Sequence, residues 1–316
     1  MAIGKSREEL ENEIKGLERQ LEKAMTLLNR QNEGSLQIAD VNSNDFIPSM
    51  SSSHSLFLLS DSALPLGSFA YSSGLESYIL HNKPLPPNTS LLGSFYDFLR
   101  LSISSIASTT LPYVLKSHRY PDHLETLDND LDASTPCCVA RRASVAQGMA
   151  LLVVWERSFK ASYGAASFTN NACGETTRDR PSAHAQLASA ALHSFSELLK
   201  QPSADGDEDL LNGHPNGHLG PLWGVVCAAM GVNLRQMAYV FMLNHAKALL
   251  SAAVRASVMG PYQAQEILAS RALQNLIVQR IQREWDVEPE NAGQVVPVID
   301  LWLGRHELLY SRIFNS

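Results

Sequence analysis

The sequence predicts an all-α protein: a single helical-bundle domain preceded by a short coiled-coil-like arm and a flexible linker. Three observations predict it. The strongly periodic segments space their apolar residues three and four apart, and none shows the alternation of a half-buried strand. Apolar residues make up 45% of the 316 and charged residues 18%, enough to build a sizeable core. The stretches between periodic segments collect Gly, Pro, Ser, Asn and Asp, which stop helices.

The elements follow in chain order. Residues 8–31, EELENEIKGLERQLEKAMTLLNRQ, set Leu10, Ile14, Leu17, Leu21, Ala24 and Leu28 at alternating spacings of four and three, so 1–33 reads as an amphipathic or coiled-coil arm. Residues 34–55 turn Ser/Asn-rich and read as a flexible linker, and the main domain runs over 56–316. Within it, 91–116 reads as one long helix with Leu92, Phe95, Leu99 and Ile103 on one face. A second helix is expected over 139–160, where Ala143, Ala146 and Ala150 offer a flat face, and a third over 183–200. The polar segments 119–136, 167–181 and 201–217 read as surface loops. Pro221 stands where a first helical turn tolerates it. The run from Leu234 is apolar almost all round and reads as a central buried helix, stopped by Gly260-Pro261. Residues 263–283 form the last strong helix, and the aromatic tail from Val296 is too patterned for a loose end.

Composition excludes several functions. A net charge of -7 with no basic run argues against nucleic-acid binding, which needs a face that neutralises phosphates. The amino terminus lacks a secretory apolar core and no window supplies about 20 uninterrupted apolar residues, so a cytoplasmic, non-membrane protein is expected. The four cysteines show no metal-binding spacing and read as idle or buried thiols.

Chemistry is sparse. Gly4-Lys5-Ser6 lacks the first glycine of a phosphate loop. His306-Glu307 begins a zinc-protease motif, but Tyr310 stands where the second histidine belongs. His214 and His218 are four apart, yet Gly213 and Pro215 make a solvated loop the better reading. Ser60, Ser62, Ser72 and Ser73 lie outside any nucleophile elbow. A hydrolase built from Ser72, His306 and Asp300 is one alternative, and an adaptor acting through the arm is another. No catalytic, cofactor or metal-binding residue is assigned.

One stretch is specific while chemically quiet: SDSALPLGSFAYSSGLESY, residues 60–78. It resembles the amino-terminal signature of the urease accessory protein F family. Three further segments are similar to the same family in the same order: GHLGPLWG at 217–224, LLSAAVRASVMGP at 249–261 and DLWLGRHELLYSRIFNS at 300–316. Eukaryotic members, fungal or plant-like, are the nearest. The resemblance implies an all-helical, dimeric, non-enzymatic chaperone. It would bridge a D-type (or H-type) accessory protein and a G-type GTPase, so that nickel reaches apo-urease, with no tightly bound cofactor and nickel handled transiently through the partners. The candidate partner-binding residues are Pro65, Gly67, Phe69, Tyr71 and Glu76 of the opening stretch, Arg255, and Arg305, His306, Tyr310, Arg312 and Phe314 of the tail. Pro65 and Gly67 would fix a bend, Phe69 and Tyr71 are anchors or core, and Glu76 suits the positive end of a helix. The tail mixes arginine with aromatics as contact surfaces do; the resemblance implies that it is tied to the opening stretch and helps engage the D-type partner, the alternative being a tail tucked against its own domain.

Overall fold

The computed structural model describes residues 50–85, 89–164, 182–201 and 215–315. All belong to one compact unit, Met50–Ser316. The expected arm, the expected loop 167–181 and most of the loop 201–217 lie outside the described residues.

The described residues are helical, with no strand among them. Helix α1 spans Met50–Ser60, so residues 50–55, read as the end of the linker, are its first turns. The opening stretch follows as a 3₁₀ turn, Ser68–Ala70, and then helix α2, Leu75–His81. Helix α3 is Leu91–Thr109, capped by Ser90, whose Oγ accepts from the Gly93 N–H at 2.9 Å.

The expected long helix 91–116 is two. Pro112 has no N–H to return to the Ser108 carbonyl, so the ladder breaks and α4 restarts at Leu111–Arg119. The freed Ser108 carbonyl accepts from the Gly293 N–H at 3.1 Å, which ties a distant loop to the break.

Residues 119–136 are also corrected. Most form helix α5, Leu124–Ser134, because Leu124, Leu127 and Leu131 share one buried face beneath an acidic exterior. Helix α6, Cys138–Val154, runs through a π turn, Trp155–Phe159, to Tyr163. Helix α7 is Ala183–Lys200, as expected.

Two apolar helices organise the core. Helix α8, Leu219–Ala229, lies on α4, α6 and α7, and every residue from Gly220 to Ala229 is buried. Gly224 makes that contact possible: a Cβ there would stand 2.1 Å from Ser117 Oγ and 2.5 Å from the Val114 carbonyl oxygen. Helix α9, Leu234–Arg255, is the expected central helix, packed by α1, α3 and α4 and by the two helices that follow. It is long and apolar enough to cross a membrane, but its setting here is that of a core helix. Gly260-Pro261 ends nothing; Gly260 caps helix α10, Pro261–Ala269. The expected helix 263–283 divides at Ser270, whose Oγ caps α11, Arg271–Glu284, through the Leu273 N–H. Helix α12, Val298–Arg305, and a 3₁₀ turn, His306–Leu308, carry the tail back onto α2 and α6.

A buried carboxylate fastens the entry to α8. Asp128, fully buried, accepts the N–H groups of Asn216, Gly217 and His218 at 2.6, 2.9 and 2.6 Å. His218 is also buried, against the solvated-loop reading. Its ring meets Asp132 at 3.0 Å and Ser144 at 3.1 Å, so it is a structural histidine, and His214 lies outside the described residues. The flat alanine face expected on α6 is not its close contact, since Ala146 is exposed. Gly148 is, where a Cβ would stand 2.1 Å from the Gly217 oxygen.

Candidate functional site: the opening stretch and the tail

The opening stretch bends as its residues demand. Gly67 (φ 69°) enters the 3₁₀ turn and Gly74 (φ 85°) enters α2, both in the left-handed region open to glycine. Gly74 has a second reason to be glycine: a Cβ would lie 3.2 Å from the Leu303 nitrogen of α12. An aromatic cluster completes the junction, with Tyr78 of α2 edge-on to Trp302 at 4.5 Å and 5.0 Å from Phe98 of α3.

Glu76 is the centre of the arrangement. It is 4% exposed, and its carboxylate collects the tail: Oε1 accepts from the Ile313 N–H at 2.7 Å, and Oε2 from the Phe314 N–H at 3.2 Å. Oε2 also lies 2.9 Å from His306 Nε2, and the His306 ring is fully buried. The sequence placed Glu76 correctly at a helix start but missed its partners, which lie some 230 residues away. Such a carboxylate, supplied with several donors, is stable where a lone buried charge is not.

Further bonds close the clasp. The Asn315 N–H donates to the Ala70 carbonyl at 2.8 Å. Arg255 donates to the Phe69 carbonyl and stacks over the Phe314 ring at 4.4 Å, with partial burial lowering its guanidinium pKa. On the outer side, Glu307 joins Arg142 and Arg312, the latter at 3.0 Å, and these cations hold its carboxyl below the usual range.

The candidate residues therefore divide. Glu76, His306 and Phe314 are buried and hold the tail from within, so in this conformation none of them presents a contact surface. Pro65, Arg255 and Arg305 are exposed, and Gly67 and Tyr71 are half-buried. Phe69 is 66% exposed and Tyr310 fully so, joined by Leu308 and Ile313, which the sequence reading had not singled out. Arg312 is a partly exposed surface residue paired with Glu307 at 3.0 Å.

The alternative hydrolase is not assembled. His306 meets Glu76, Asp300 accepts from Gln294 at 3.2 Å, and Ser72 Oγ accepts from the Glu76 N–H at 3.3 Å. Among the described residues no group of three or more His, Cys, Asp or Glu is placed to hold a metal.

Comparison with known proteins agrees on one family. The UreF family model matches residues 93–272. A protein of Schizosaccharomyces pombe described as an uncharacterized urease accessory protein UreF-like is 33% identical over 85% of this chain and 99% of its own length. Urease accessory protein 6 of Cryptococcus neoformans is 25% identical over 85% of this chain and 98% of its own. Urease accessory protein F of Arabidopsis thaliana is 29% identical over 82% and 90%. The clasp itself, Glu76 with residues 306–315, lies outside the family-model match but within the stretch of sequence whose motifs first suggested the same assignment. The chain belongs to the UreF family of urease accessory proteins.

Proposed function

We propose that the chain is a non-enzymatic scaffold of urease maturation. In this reading it works in the cytoplasm as a homodimer, bridging a D-type (H-type) accessory protein and a G-type GTPase so that nickel is delivered to apo-urease. Nickel is cargo handled through the partners, not a resident of this chain, and no cofactor is held tightly.

The observation that carries the reading is the surface held up by the clasp. Phe69, Leu308, Tyr310 and Ile313 stand exposed beside Arg142 and Arg312, on a backbone fixed from below by a buried carboxylate. Exposed aromatics with arginine, on a framework already ordered, make an interface that needs little further ordering to bind. We assign it to the D-type partner.

The test is co-purification of the full chain with D-type and G-type partners, together with urease activity in cells lacking the chain. Tyr310→Ala combined with Leu308→Ser is expected to weaken D-type capture by about ten- to a hundredfold, the loss of one or two anchors, with unchanged melting. Urease then stays inactive. Full capture and full activation by this variant overturn the assignment.

A further inference from the structure

On the outer side of the clasp opens a groove of about 480 Å³, lined by Tyr71, Arg142, Arg312, Ile313, Phe314 and Asn315. These six include two cations and no carboxylate. Arg142 comes from α6 and Arg312 from the tail, so the folded clasp is what brings them together. Their side chains are 61% and 39% exposed, which leaves both guanidiniums open to a partner.

Glu307 holds the pair. One of its carboxylate oxygens accepts from Arg142 Nη2 and the other from Arg312 Nη1, the latter at 3.0 Å. Two positive charges therefore share one negative charge, and each guanidinium keeps most of its fork of N–H donors for another acceptor. No further carboxylate among the described residues forms an ion pair with either arginine. Glu76 also touches the lining, but it is spent from beneath on the Ile313 and Phe314 amides and on His306. What the groove lacks is a second carboxylate. Glu307 shows that one such group spans both guanidiniums, in the geometry that makes arginine and carboxylate strong partners. The groove is also continuous with the exposed surface of Phe69, Leu308, Tyr310 and Ile313, because Ile313 belongs to both.

We propose, on the reading that the tail surface meets the D-type partner, that this groove receives an aspartate or glutamate side chain of that partner. Arg142 and Arg312 take its carboxylate together, opposite Glu307. The apolar anchors then supply the area of the contact, while the arginine pair fixes its alignment and rejects a partner without the acid.

The test is titration of the full chain with the D-type partner. Arg142→Gln combined with Arg312→Gln is expected to weaken capture by at least about tenfold, and either change alone by no more than about fivefold, since the remaining arginine still meets the carboxylate. Arg142→Glu, which sets like charges against each other, should cost at least about tenfold by itself. One member of a panel of D-type variants, each with a single surface Asp or Glu changed to Arg, should then restore capture to the Arg142→Glu chain. If Tyr310→Ala with Leu308→Ser leaves capture unchanged, the assignment of the surface has failed. If that variant weakens capture while the double glutamine variant captures as the parent chain does, the groove alone has failed. Should the glutamine pair loosen the tail, seen as faster exchange at the Ile313 and Phe314 amides, the charge swap decides: Arg142→Glu without effect, or no panel member that restores capture, overturns the proposal.

Discussion

At the residue scale, Glu76 does for the tail what Asp128 does for the entry to α8: one buried carboxylate replaces a secondary-structure ladder for a segment that has none. The functional groups served are backbone N–H donors, which have to be satisfied when buried. A neutral amide cannot repeat this, since half of it donates. Glu76→Gln is therefore expected to release the tail locally while the helices stay folded. Hydrogen bonds to a charged acceptor contribute about 1.5–3 kcal/mol each, so exchange at the Ile313 and Phe314 amides should quicken by at least tenfold, and trypsin should cut more readily after Arg312. Unchanged protection at both amides would show that the tail is held by Phe314 packing and Arg255 alone. Arg312→Ala is expected to cost less than the tail anchors do, because its ion pair with Glu307 is exposed to solvent, which screens it, so that it contributes little. D-type capture by this variant should stay within about fivefold of the parent chain. A complete loss of capture would move the hot spot from Tyr310 to the arginine.

At the element scale, α8 is the helix least tolerant of change. Gly224→Ala drives a methyl group into the Val114 carbonyl and Ser117 of α4, backbone and a short side chain that cannot swing away. It should destabilise the fold by about 3 kcal/mol or more, read as a lower urea midpoint with an unchanged slope. A midpoint within error of the parent chain would mean that α4 and α8 can part without cost. Which elements were legible in sequence follows from where their signals reside. Helix α7 was read to its ends because Ser182 caps it locally and no breaker interrupts it. The break at Pro112 was hidden because proline is also at home in a first helical turn, and the group that repairs the break, Gly293, is remote. Helix α5 was missed because its acidic residues dominate its composition, although Leu124, Leu127 and Leu131 were spaced to reveal it. Ser270 carried the signal that divides α10 from α11, and the continuous apolar pattern on either side masked it.

For the whole molecule, the shape of the site was legible in part. The motifs pointed to both the opening stretch and the tail, and glycine, proline and aromatic content marked the bend. The bonds joining them were not legible, since no local spacing says which donors a buried Glu76 will meet. Two bulk properties follow from the assembled fold. Burial holds the folded-state pKa of His245 near 4, below its ordinary 6.5, and His118 is displaced the same way. Below about pH 6.5 the unfolded chain takes up a proton that the folded chain refuses, so stability falls as pH drops toward 4 and this contribution is flat below that. Between pH 6.5 and 5 the His245 share is up to about 2 kcal/mol. Urea unfolding at the two pH values should show a smaller decline for His245→Gln, and an equal decline would place the titration elsewhere. Calorimetry of the isolated chain with nickel should show no stoichiometric sub-micromolar binding; such binding would make the chain a carrier in its own right. The clasp also orders events in time. Ile313 leaves the ribosome 237 residues after Glu76, and Phe314 one residue later, so until then the opening stretch has its carboxylate but not the amides that answer it. A chain cut before Ile313 keeps the residues of α8 and α9 but lacks the amides that answer Glu76, so the clasp is the last part of this fold that synthesis can complete.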